Sequence, residues 1–147
     1  MKLNTPTSGV LYSIEEAIKA YRRLCQQNIS SVVPKITVDQ GLILIIIDRE
    51  DKTQSEIADL VFKDYASMTR ILALMIEKNY LTKEVDATDK RKTKLKITQS
   101  GKEIIRKLNP VIKKNRKTAL NNISEKELKQ LFNTLKRITQ NCKASNK

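Results

Sequence analysis

Within six residues the chain places a phenol, two hydroxyls and a guanidinium, on Tyr65, Ser67, Thr69 and Arg70. Such groups meet base edges and phosphate oxygens, and an arginine can grip guanine through two parallel N–H groups, which makes Arg70 the expected guanine reader. A second cluster, Lys90, Arg91 and Lys92, gathers three cations with no bulky apolar neighbour. Arg91 suits the concentrated negative potential of a narrow minor groove, and Asp89, two residues earlier, is placed to hold its guanidinium. The chain has no His, which removes the usual general base and the commonest metal ligand together. No clustered acidic metal site or Gly-rich phosphate loop takes its place. The expectation is a binding protein with no catalytic residue, no metal and no cofactor.

The net charge agrees. Lys and Arg number 29 against 16 Asp and Glu, a formal balance of +13, and a surplus of that sign selects polyanions because neutralising phosphates releases condensed counterions. Residues 77–117 hold 14 of the cations against 5 anions, and so supply +9 of the total. An anionic membrane surface would satisfy the same charge. The longest apolar run, residues 42–47, is far short of the roughly 18–20 residues a span needs. No secretory leader is read at the start, and Cys25 and Cys142 are too far apart for a CxxC motif, so reduced thiols and a cytoplasmic location are expected.

The chain is long enough for one core and too short for two independent ones. Val10, Ile14, Ala17, Ile18, Tyr21, Leu24 and Cys25 follow helical spacing, which predicts a first helix over about 8–33 that Pro34 terminates. Thr37-Val38-Asp39-Gln40 has the form of a capping box and opens a second helix, although the β-branched run at 42–47 would equally suit a buried strand. Thr53-Gln54-Ser55-Glu56 opens a short third helix reaching Val61. Asp64 caps a fourth with an apolar stripe of Met68, Ile71, Leu72, Met75 and Ile76, ending near Asn79. Alternation at 81–85 and 93–97 predicts a two-stranded hairpin around the polar stretch 86–92. Thr98 caps a fifth helix that Pro110 should kink or break, and Ser124 caps a sixth carrying Leu128, Leu131, Phe132, Leu135 and Ile138, with residues 141–147 frayed.

Two short helices joined by a tight turn and followed by a basic hairpin form the plan of a winged helix-turn-helix. The fold class is therefore mainly α with a small β-hairpin wing, a winged helix-turn-helix plus a helical dimerisation region. Residues 37–98 would be the DNA-binding lobe of a single domain, with 1–36 and 99–147 as the helical dimerisation lobe. The terminal helices carry apolar stripes wider than one such unit covers, which suggests a homodimer. It would present two recognition helices to an inverted-repeat operator in double-stranded DNA, with half-sites about 34–36 Å apart.

In these features the chain resembles the multiple antibiotic resistance regulator (MarR) family over nearly its full length. Thr53-Gln54-Ser55-Glu56-Ile57-Ala58 resembles that family's helix opening, and Ser67-Met68-Thr69-Arg70-Ile71-Leu72 its recognition helix. Asp89-Lys90-Arg91, followed by Leu95-Lys96-Ile97-Thr98 and Gly101, resembles its wing signature. The resemblance implies a triangular homodimer joined through the first, fifth and sixth helices. It would repress or activate promoters, with repression the expected outcome, and regulators of this kind are often released by a small aromatic or phenolic effector or by oxidants. Two positions depart from the pattern: Asn79 stands where Gly is common, and Phe62-Lys63 replaces a Gly-apolar turn.

Other readings of the same residues are narrower. A basic hairpin is often only a solvated surface, and the polarity of Ser67 and Thr69 is ordinary for a helix exterior. Some members of the family sense peroxide with a Cys on the first helix, which would make this chain a thiol-based oxidant sensor. Cys25 lies on the apolar stripe, however, where a thiol is usually inert filler. Tyr12 and Tyr21 either pack in the dimer helices or line a ligand cavity. A constitutive architectural or protein-interaction winged helix without an effector is the main alternative, and an enzyme acting on nucleic acid is the least supported.

Overall fold

The computed structural model describes residues 5–89 and 93–145. Six helices and one hairpin follow in the order α1 (Val10–Val32), α2 (Val38–Arg49), α3 (Gln54–Leu60), α4 (Tyr65–Glu77), β1 (Leu81–Val85), β2 (Thr93–Ile97), α5 (Gln99–Ala119) and α6 (Glu125–Ala144). The chain divides into two units, Met1–Asn115 and Arg116–Lys147.

The first unit is built round one apolar cluster. Ile29 and Val33, Ile36, Ile43 and Leu44, Ile57, Ala58 and Val61, Met68, Leu72 and Met75, Leu81 and Leu95, and Ile104, Ile105 and Leu108 are all buried together. Every element from the end of α1 to α5 thus contributes one face to the same core. The run at 42–47 is helical and not a strand. Thr37 accepts from the Gln40 N–H, and the Gln40 amide oxygen accepts from the Thr37 N–H, so the helix start is fixed before the β-branched residues begin. Gln26 of α1 adds to this: its amide oxygen accepts from Val38 N–H and its Nε2 donates to Ile36 O. Reciprocal boxes also open α3 at Thr53/Glu56 and α6 at Ser124/Glu127.

Two helices end in the same device. Phe62 and Asn79 both have positive φ, 59° and 63°. In each case this residue and the next donate back to the helix: Phe62 N–H to Asp59 O and Lys63 N–H to Ala58 O, Asn79 N–H to Ile76 O and Tyr80 N–H to Met75 O. These are the paired bonds of a Schellman motif. Asn tolerates the left-handed region; a bulky aromatic there is rare and costs of order 1–3 kcal/mol.

Two expectations need correction. Pro110 does not break α5, which is helical from Gln99 to Ala119. A proline removes one backbone bond and crowds the preceding turn, at about 3 kcal/mol. The burial of Ile104, Ile105 and Leu108 on one side of it, and the packing of Val111 and Ile112 on the other, hold the helix through that loss. The fraying read at 141–147 is also misplaced over 141–144, which belong to α6; residues 146–147 lie outside the described residues.

The hairpin is antiparallel, with Leu81 opposite Ile97, Lys83 opposite Leu95 and Val85 opposite Thr93. Its base is locked to α5 through Thr98, whose N–H donates to the Tyr80 carbonyl and whose hydroxyl donates to the Asn79 carbonyl at 2.6 Å, with Tyr80 O at 3.0 Å. Thr98 Oγ1 in turn caps the helix by accepting from Gly101 N–H at 3.0 Å. A Cβ at Gly101 would run into that same Tyr80 carbonyl and approach Ile97 Cγ2 to 2.7 Å. Only glycine permits so close an approach. Among the described residues Asn115, 1 % exposed, is the most deeply buried polar side chain; it accepts from Asn28 of α1 at 2.7 Å while its own Nδ2 has no partner.

Gly101→Ala is therefore expected to destabilise the protein by about 1–3 kcal/mol. It should lower the urea midpoint at constant m-value, whereas Gly9→Ala, with nothing within 4 Å of the new methyl, should change it little. Equal midpoints for the two variants would contradict the contact.

Candidate nucleic-acid interface

The geometry of α4 follows from what it buries. Met68, Leu72 and Met75 are fully enclosed, and at about 100° per residue a side chain two positions after Met68 points almost directly away from the core. That position is Arg70, and it is exposed. Ser67 flanks the buried stripe and is half-buried, while Thr69 lies on the opposite flank and is exposed. Arg70 Nη2 donates to Ser67 Oγ at 3.3 Å, which lays the guanidinium along the first turn. Tyr65, the first residue of the helix, is 58 % exposed.

Asp64 closes the helix start, its carboxylate accepting from Ser67 N–H at 2.7 Å. That backbone bond, with the Ser67 side chain and the Arg70 charge, holds the Asp64 carboxyl below its ordinary value despite some desolvation. The anion also complements the positive end of the helix. Thr69 is tied more firmly than its polarity suggested. Its hydroxyl donates to Tyr65 O at 2.9 Å and accepts from Gln54 Nε2 at 3.0 Å. The amide of Gln54 is buried at the start of α3, 6 % exposed, so this bond braces α3 against α4. Nothing in the residue type of Gln54 marked it out beforehand, because its neighbours in the capping box carried the visible signal.

In the wing, the Asp86 carboxylate accepts from the N–H groups of Thr88 and Asp89 and from the Thr88 hydroxyl. This is an Asx-type turn that leads the chain out of β1. Asp89 is half-buried. Lys90, Arg91 and Lys92, the expected groove-entering cations, lie outside the described residues.

One junction ties α1 to the helix-turn-helix and was not visible from spacing. Asp39, in the first turn of α2, pairs with Arg22 of α1 at 2.6 Å and with Lys63 of the α3–α4 turn at 3.3 Å. Burial pushes its carboxyl up, but the hydrogen bond and charge of Arg22, joined by those of Lys63, outweigh this and hold it below 3.8.

Residues 35–92, which contain α2, α3, α4 and β1, match the model of the MarR family. The resemblance read from the motifs is borne out. The MarR fold extends well beyond the matched segment. A cysteine-to-serine variant of MarR from E. coli, solved in complex with operator DNA, superposes with a TM-score of 0.81 at 21 % identity, covering 94 % of this chain and 99 % of that one. MepR from S. aureus, solved as a DNA complex, gives 0.82 at 18 % identity with 94 % and 99 % covered. BpsR from Bordetella bronchiseptica, whose DNA binding is regulated by 6-hydroxynicotinic acid, gives 0.81 at 16 % identity with 94 % and 98 % covered. The winged helix-turn-helix architecture expected from the sequence is the one these MarR-type structures share.

Within that MarR fold both cysteines are free, Cys25 buried and Cys142 exposed. Tyr12 lines an open cleft of about 350 Å³ along α1 with Glu15, Glu16, Lys19, Ala20 and Arg23. No helix among the described residues is long and apolar enough to cross a membrane.

The Asp39 junction has a pH signature. A carboxyl with a depressed folded pKa contributes stability that is present above its unfolded pKa and is lost as the pH falls through the folded value. The unfolding free-energy gap between the protein and Asp39→Asn should be steady from about pH 7 to about pH 5 and narrow below about pH 4. A gap of unchanged size down to about pH 2 would exclude the paired carboxylate as its cause.

Proposed function

We propose that the chain is a sequence-specific, double-stranded-DNA-binding transcriptional regulator of the MarR type, acting as a homodimer in the cytoplasm. The observation that carries this reading is the outward face of α4. Arg70 stands opposite the buried Met68–Met75 stripe, with Ser67 and Thr69 at its sides, on a fold shared with MarR and MepR in their DNA complexes. Arg70 reads a guanine, Ser67, Thr69 and Tyr65 contact bases and phosphates, and the wing cations Lys90, Arg91 and Lys92 reach the flanking minor groove with Asp89 in support. On this reading the protein binds DNA and catalyses nothing.

Dimerisation is supported by what the helices leave uncovered. α6 has no buried residue, and its Leu131 and Phe132 are more than half exposed. On α1, Val10, Leu11 and Ile18 are exposed as well. Apolar stripes of this extent, on the helical lobe of residues 1–36 and 99–147, are what a second copy would cover. The operator is then an inverted repeat. Regulation of BpsR by a small aromatic acid supports a repressor that a comparable aromatic or phenolic effector releases.

Selection of bound duplexes from a random library should return an inverted repeat. Arg70→Ala should then relax preference at one position of each half-site by about 1–3 kcal/mol, whereas Arg91→Ala should weaken all sequences alike and flatten the salt dependence. Recovery of no sequence preference by the unaltered protein would refute the reading. Sedimentation should give twice the mass of a single chain, and Phe132→Glu together with Leu131→Glu should reduce it to that of one chain. An unaltered dimer would show that the stripe of α6 is not the interface.

A further inference from the structure

Phe62 has the highest exposure of any large apolar residue among those described, at 92 %. Its backbone occupies the left-handed region, φ 59°, where an aromatic residue is disfavoured. The motif it completes does not require it. Asn79 ends α4 with the same pair of backbone bonds at φ 63°, so Asn or Gly would serve the turn with less strain. The next residue, Lys63, pairs with Asp39 at the start of α2 at 3.3 Å. An unfavourable residue is displayed to solvent.

Its position says what it meets. Phe62 lies two residues before the Asp64 cap and three before Tyr65, at the end of α4 whose N-terminal residues approach the base edges in a helix-turn-helix. A phenyl ring has no donor or acceptor for phosphate, and the apolar feature of the major groove is the thymine C5-methyl group. We propose that Phe62 is a specificity-determining residue whose ring packs on a thymine methyl beside the bases read by α4. This rests on the DNA-binding reading above and adds to it a contact that recognises A·T through the methyl alone. Being uncharged, the contact releases no counterion.

The test begins with the duplex that the unaltered protein selects from a random library. Phe62→Asn should keep the fold and raise or preserve Tm, bind that duplex about five- to tenfold more weakly, and leave the slope of affinity against salt unchanged. Replacing thymines by deoxyuridine one at a time should cost the unaltered protein about fourfold at a single position of each half-site, the worth of one buried methyl. The same replacement should cost Phe62→Asn nothing. Undiminished affinity in Phe62→Asn, or an equal deoxyuridine penalty in both proteins, overturns the contact while leaving the regulator intact. A change in sedimenting mass on Phe62→Asn also overturns it, because the ring would then be covered by another copy of the chain. If the unaltered protein selects no sequence, the DNA-binding reading itself fails.

Discussion

The arrangement of α4 rests on the enclosure of three side chains. Met68, Leu72 and Met75 occupy one face of thirteen residues and sit in the centre of the apolar cluster. A helix has only one rotation about its axis that buries such a stripe. Once it is adopted, the outward direction of Arg70 and the flanking placement of Ser67 and Thr69 follow without further interactions. The polar contacts refine this orientation and do not create it: Asp64 closes the first turn and Gln54 clips Thr69 to α3. A substitution that loosened the stripe would therefore disorder the recognition surface while leaving every one of its side chains present.

Around that helix the packing is joined by a few polar ties. Asp39 gathers Arg22 and Lys63, so α1, the start of α2 and the α3–α4 turn share one carboxylate. Gln26 does similar work with neutral groups, joining α1 to the α1–α2 loop and the first N–H of α2. The Asn28–Asn115 pair is different in kind. It lies inside the first unit with one N–H group unpaired, an arrangement that contributes less to stability than an apolar pair of similar size would.

Much of this was legible in the residues because the informative signals are local. Thr37/Gln40, Thr53/Glu56 and Ser124/Glu127 each place two groups three positions apart, and all three open helices where expected. Asn79 is the residue that tolerates its own backbone angle. Alternation in 81–85 and 93–97 located both strands. What escaped depends on partners distant in sequence. Pro110 is a breaker by type, and only the core packed on both sides of it keeps α5 continuous. Asp39 stood in the sequence only as an inner position of a capping box; its partners are 17 and 24 positions away. Gln54 was an inner position of another capping box, with no role read for it. The turn at Phe62 was a departure from the family pattern whose backbone angle no propensity would have assigned to an aromatic residue.

The contact at Tyr80 carries a mechanical implication. The carbonyls of Asn79 and Tyr80 receive the hydroxyl and the N–H of Thr98, and Gly101 leaves no clearance behind the Tyr80 oxygen. β1 and the opening turn of α5 are consequently joined with almost no play. A tilt of the opening turn of that long helix would therefore pull on the root of the hairpin, which couples the attitude of α5 to that of the wing.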